Sequence, residues 1–176
     1  MFLKYENLII RNATEKDAEQ LAEWWNDGSI MAHAGFPNGL GKTAQSIADS
    51  LREDTDTTRR RLIIEMDHRA VGEMNYDNKG NRTAEIGIKL CDASKQNHGT
   101  GKILLSMLIA SLFHDLGYEK IVLGTNLKNK RAQHVYEQLG FTKVRVNENS
   151  WTDQVGELQS TVEYELYEKD FIDFVK

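Results

Sequence analysis

An alternating stretch, TAEIGIKL (83–90), is followed by the heptapeptide QNHGTGK (96–102) and then by an apolar run, ILLSMLIASLF (103–113). The first has the period-two pattern of a strand, and the run is long enough for a helix of about Gly99 to Leu116. The next extended stretch, EKIVLGT (119–125), must return to the sheet, so the unit predicts one crossover connection. Helix N-termini expose unpaired backbone N–H groups and the positive end of the helix dipole. Glycines let an anion approach those amides closely. QNHGTGK therefore reads as a phosphate-holding turn, against the plainer alternative of a turn that merely starts a core helix.

Upstream, NLIIRNAT (7–14) reads as a strand, with Thr14 as an N-cap and Asp17 three residues on. The helix that follows carries Ala18, Leu21, Ala22 and Trp25 at helical spacing. MAHAGFPNGLGK (31–42) reads as a loop, and Thr43 to about Glu53 as a second helix. RLIIEM (61–66) and AVGEMNYD (70–77) read as strands, with NKGN (78–81) as a hairpin turn before TAEIGIKL. The arginines at 59–61 read as a solvated turn ahead of a strand. A helix over Asn129–Leu139 and an antiparallel pair, FTKVRVNE (141–148) with STVEYELYE (160–168), complete the order β α α β β β α β α β β. That order indicates an α+β fold. With one proline and no linker or repeat, residues 1–176 are expected to form a single domain.

Twenty-two Lys and Arg against 27 Asp and Glu leave a net charge of −5, which disfavours a nucleic-acid partner. The single cysteine, Cys91, excludes an internal disulfide, and no Cys/His spacing suggests a metal site. The N-terminus lacks a secretory signal pattern and no stretch has the length of a membrane span, so a cytoplasmic protein without a membrane partner is expected. GFPNGLGKT (35–43) imitates a nucleotide-triphosphate loop, but Phe36 stands where that pattern needs glycine.

About thirty residues after the glycine turn comes NKRAQHVYEQLGF (129–141). Gln96, Gly99 and Gly101, together with Asn129, Ala132, Tyr136, Glu137, Gly140 and Phe141, resemble the two motifs of the GNAT family of N-acetyltransferases. The resemblance runs from about Leu8 to Tyr167 and is nearest to the ribosomal-protein N-terminal acetyltransferase-like and aminoglycoside N-acetyltransferase-like branches. It implies a mixed, mostly antiparallel sheet flanked by about four helices, splayed between the fourth and fifth strands expected here. It also implies acetyl-CoA as cofactor. The pyrophosphate would sit on Gln96, Asn97, His98, Gly99, Thr100, Gly101 and Lys102. The pantetheine arm would meet the main chain of Leu90 and Cys91, with Asn126 and Asn129 on the opposite wall.

Direct acetyl transfer to a primary amine, on a small molecule or a protein N-terminus, needs a base for the ammonium and an acid for the departing thiolate. The resemblance makes Tyr136 the acid. Strand alternation puts Glu85, Gly87 and Lys89 on one face, which makes Glu85 the base, with Glu73 in reserve. Trp24, Asp27, His33 and Phe36 are expected on the acceptor side, and Trp25 in the core. The alternative is a coenzyme A-binding sensor or interaction module of the same fold without turnover. Both a monomer and a homodimer are compatible with the sequence.

Overall fold

The computed structural model describes residues 1–96 and 98–175. Eight strands make one sheet: β1 (Phe2–Tyr5), β2 (Leu8–Asn12), β3 (Arg59–Met66), β4 (Arg69–Asn78), β5 (Thr83–Leu90), β6 (Lys120–Asn126), β7 (Thr142–Thr152) and β8 (Leu158–Tyr167). Their spatial order is β1-β2-β3-β4-β5-β6-β8-β7. Every neighbouring pair is antiparallel except β5 and β6. The helices are α1 (Ala18–Asn26), α2 (Gly28–Met31), α3 (Ala44–Leu51), α4 (Thr100–His114) and α5 (Lys130–Gln138). The α+β class and the mostly antiparallel sheet are as expected.

Three elements depart from the sequence reading. β1 is a four-residue edge strand, too short to carry a periodic signal, and it turns into β2 through Glu6 at φ 52°. α2 is a single helical turn inside the expected loop. Arg59–Arg61 form the start of β3 rather than a solvated turn. Their charges are met by carboxylates from other segments: Asp77 on Arg59, Asp56 on Arg60 and Asp54 on Arg61, each at 2.7 Å.

Alternation along the strands divides the sheet into two faces. Leu62, Ile64, Met74, Tyr76, Ala84 and Ile86 share a core with α4. Burial of an aliphatic side chain of this size contributes about 1.5–3 kcal/mol. α4 is apolar nearly all round because it is covered twice: Phe171, Phe174 and Val175 of the C-terminal segment pack on the same core. The Phe174 N–H donates to the buried Ser106 hydroxyl at 3.1 Å. On the other face Ile63 packs beneath Leu21 and Trp24 of α1 and Ile47 and Leu51 of α3. Gly140 closes α5 at φ +97°, and a Cβ there would lie 1.9 Å from the Asp170 carbonyl oxygen. The glycine of YEQLGF is thus required by close backbone approach.

Candidate active site

The parallel strands β5 and β6 pair only over Thr83–Glu85 with Lys120–Val122, and then part. The Cys91 N–H donates to the Val71 carbonyl at 2.9 Å. In an antiparallel ladder alternate residues bond to one neighbour, so Ile86, Ile88 and Leu90 turn their main-chain groups away from β4 and into the gap. The Leu127 N–H donates to Ser160 at 2.9 Å, which by the same alternation turns Gly124 and Asn126 of β6 into the gap from the other side. The result is an unpaired strand edge inside a sheet, able to accept an extended ligand as a strand would be accepted.

At the open end of the gap stands the N-terminus of α4. Gly99 caps it at φ +75°, and a Cβ added there or at Gly101 meets nothing closer than Leu90 Cδ1 at 4.0 Å. The first turn carries no acidic side chain. The N–H groups of Thr100 and Gly101 have no acceptor among the described residues. Unpaired donors, a dipole end and open space fit an anionic group such as a pyrophosphate. His98 is exposed beside them.

On the α1/α3 face a cavity of about 350 Å³ lies over β4 and β5, walled by Trp25, Met31 and Leu40 and floored by Glu73, Asn75, Asp77, Gly87 and Lys89. A second cavity of about 540 Å³ adjoins it and shares Arg59, Arg61 and Asp77. Gly87 keeps the floor low, since a Cβ there would sit 2.6 Å from Asn75 Oδ1. Trp25 Nε1–H donates to both Glu73 oxygens at 2.9 and 3.0 Å, and Lys89 Nζ donates to Oε1 at 3.2 Å. The wall is braced by the β7–β8 hairpin. Gln154 donates from its side chain to the Gly39 carbonyl and accepts from the Asn38 N–H, both at 2.9 Å. The Trp151 ring lies against Gly35, where a Cβ would approach it to 2.4 Å.

Tyr136 packs edge-on against Phe141 and Tyr164, with centroids 5.8 and 5.7 Å away. Its hydroxyl has no hydrogen-bond partner among the described residues, and the residue as a whole is 8% exposed. Burial pushes the phenol up to about 12. It therefore holds its proton throughout the neutral range.

Several expected residues lie elsewhere than the sequence suggested. Trp24, not Trp25, is the buried member of the pair, while Trp25 faces the cavity. The two are adjacent on a helix, and composition alone does not tell which one points inward. Asp27 caps α2, taking the Ser29 N–H at 2.8 Å and hydroxyl at 2.6 Å, and these bonds hold it below the usual carboxylate range. His33 is exposed and Phe36 half-buried, and neither lines the cavity. Glu85 is on the cavity side of β5 but at the fork, paired with Lys79 at 2.9 Å, whereas Glu73 lies inside. β4 and β5 keep an unbroken register, so no bulge displaces the alternation.

Among the cofactor candidates, the Gln96 side-chain amide donates to the Leu90 carbonyl at 2.9 Å, and Cys91 has given its N–H to Val71. Lys102 extends its ammonium over the Phe174 ring, 4.1 Å from the centroid, rather than toward the turn. Asn129 caps α5 through the Ala132 N–H at 3.1 Å, and Asn126 bonds Gln159 at 3.0 Å. Asn97 lies outside the described residues. Trp151, Gln154, Arg59 and Arg61 were missed as parts of the site. Only the arginine run carried a signal, and its partners are distant in sequence.

A forked parallel pair with an anion-ready helix end at its mouth and a polar cavity beside it defines a transferase for a carrier-borne group. The chain belongs to the acetyltransferase (GNAT) domain family, whose profile matches residues 7–142. The protein is accordingly an N-acetyltransferase acting on amines. No curated protein matches the chain. The fold is shared with a spermidine N-acetyltransferase from Vibrio cholerae solved with CoA and spermine, at TM-score 0.82 and 20% identity over 93% of this chain and 97% of that one. It is shared too with a GNAT-family acetyltransferase from Bacillus anthracis, at TM-score 0.78 and 19% identity over 96% and 99%. A GNAT-family acetyltransferase from Streptococcus pneumoniae has TM-score 0.76 and 20% identity over 91% and 99%. Among the described residues no helix is long and apolar enough to cross a membrane.

Proposed function

We propose that the fork between β5 and β6 holds acetyl-CoA, and that the cavity over Gly87 and Glu73 holds the amine that receives the acetyl group. The observation that carries this is the pairing of β5 with β6 over three residues and no further. The main-chain groups of Ile88 and the N–H of Leu90 offer the pantetheine arm a strand edge. The N–H groups of Thr100 and Gly101 at the start of α4 are offered to the pyrophosphate. When bound, acetyl-CoA supplies an activated acetyl thioester.

The chain's own groups divide the remaining work. Tyr136 holds a proton at Oη for the departing sulfur. The N–H groups of Gly124 and Asn126 face the gap and offer donors to negative charge that develops there. The acceptor's proton leaves to a carboxylate of the cavity face. Glu73 lies within the cavity and Glu85 at the fork, so a Glu→Gln change at each separates them. Trp25 walls the amine on its outer side.

The acceptor is a primary amine, on a small molecule or a free protein N-terminus. The motif residues tie the chain most nearly to the ribosomal-protein N-terminal and aminoglycoside branches, while a polyamine is what the Vibrio cholerae enzyme holds. The test is thiol release from acetyl-CoA with a panel of polyamines, aminoglycosides and peptides with free N-termini. Amine-dependent release that is lost in Tyr136→Phe is the expected result. Binding of acetyl-CoA with no amine-dependent release would overturn it.

A further inference from the structure

We infer that the acceptor is a primary amine that also carries a carboxylate, and that Arg59 receives that carboxylate. The inference rests on the acceptor cavity proposed above. It comes from an inventory of donors and acceptors on the cavity face.

Every carboxylate lining the cavity is already matched by a cation. Glu73 is held by Lys89 at 3.2 Å and by Trp25 Nε1. Asp77 takes Arg59 Nε at 2.7 Å on one oxygen and Asn75 Nδ2 at 2.9 Å on the other. In the adjoining cavity Asp54 is saturated by the Arg61 side chain and main-chain N–H at 2.7–3.2 Å, and Glu53, on the far side from β5, is the one lining carboxylate with no ion pair among the described residues. Among the described residues, a second ammonium group on an acceptor would find no unpaired anion in the cavity over β4 and β5, and would meet Lys89 and Arg59.

The cations are not saturated in return. Arg59 uses only Nε, so both terminal nitrogens have no acceptor among the described residues. Its side chain is 59% exposed and opens on both cavities. A planar guanidinium with two free N–H edges suits a carboxylate. Register places Arg59 in one row with Asp77 and Glu85, at the level of the fork. It lies two strands from β5, or roughly 10 Å. An amine held over Gly87, the next residue on that face of β5, and a carboxylate on Arg59 would therefore be several bonds apart. Lys89 adds a like charge near the amine and disfavours its ammonium form, which helps deprotonation.

The test uses three acceptors of one length: ε-aminocaproate, its amide, and the diamine of the same chain length. With the whole protein and saturating acetyl-CoA, kcat/KM should fall roughly fivefold from carboxylate to amide, and again to the diamine. The preference should shrink as salt is raised. Arg59→Gln should erase the carboxylate-over-amide preference, read as the ratio of the two kcat/KM values. Equal or better use of the diamine overturns the inference, and so does a preference that survives Arg59→Gln. Failure of all three amines while acetyl-CoA still binds by calorimetry also counts against the inference alone. Failure to bind acetyl-CoA counts against the reading on which it rests.

Discussion

The gap side and the cavity side of this site are built by different means. The gap is made of main chain: a strand edge left unpaired by divergence, and a helix end left uncapped by side chains. The cavity is made of side chains that meet from β3, β4, β5 and α1, joined by ion pairs and an indole N–H. A main-chain site tolerates much sequence change provided glycines remain where amides must be approached. A side-chain site is rewritten by single substitutions. The comparison predicts that the gap should serve a ligand common to the family, and the cavity a ligand particular to this chain.

The strongest way to break that contrast is Gly101→Asp. Nothing but Leu90 Cδ1 lies within 4.0 Å of the new Cβ, and an acid in a first helical turn does not harm the helix. The thermal midpoint should stay put while acetyl-CoA affinity falls roughly a hundredfold or more. Calorimetry showing parental affinity would remove the pyrophosphate from this turn.

Tyr136→Phe comes next. The ring packing on Phe141 and Tyr164 is kept, and no hydrogen bond to a described residue is lost. Turnover should drop roughly ten- to a hundredfold with the KM for acetyl-CoA within about twofold. Full turnover on the best acceptor would make Tyr136 a core residue only.

The two carboxylates sharpen the cavity half. Glu73→Gln should lower kcat roughly tenfold, most at low pH where little free amine exists, and Glu85→Gln less than about threefold. The reverse order in a stopped thiol assay would move proton removal from the cavity to the fork. Trp25→Phe, which deprives Glu73 of its indole donor, should raise the acceptor KM roughly two- to fivefold and leave acetyl-CoA binding alone.

The smallest expected effect is an absence. Burial raises the Tyr136 phenol from 10.0 to about 12. The protonated acid is the competent form, so the pH–rate profile should show no falling limb from this group below about pH 11. The linked stability has a definite sign. The neutral forms of Tyr136, Tyr76 and Tyr164, each at about 12 in the fold, are favoured there. Their contribution is whole below pH 10.0 and is lost as pH rises through about 12. The Cys91 thiol, also raised to about 12 by desolvation and by Glu73, should resist alkylation at neutral pH. A Tyr136-dependent falling limb near pH 10.0 would show a solvated phenol instead.

The two halves also differ in how much could be read before the fold was known. The period-two pattern of TAEIGIKL, the apolar run of α4 and the glycines between them describe the gap side nearly completely, because each is a local signal. The motif ending in Gly140 and Phe141 was legible for the same reason: a close approach of main chain demands glycine at one place. The arginines of β3 were legible as charges but not as part of a cavity. Asp54, Asp56 and Asp77, which take those charges, come from segments on either side of the strand. The choice between Trp24 and Trp25 was equally hidden, since neighbours on α1 point in different directions and only the seat on Ile63 decides which is buried.

What the sequence by itself determined, then, is the order of elements apart from β1 and α2, the crossover through α4, the glycines at its start and the family. These follow from periodicity, glycine and local hydrogen bonding. The tertiary structure alone decided the cavity: which carboxylate lies within it, which cation neutralises it, and which indole closes it. It also decided that Gln154 and Trp151, more than a hundred residues away, brace the wall over Gly35 and Gly39. Such pairings depend on distances between strands and helices that are remote in the chain, and charge or burial acts across space rather than along the sequence.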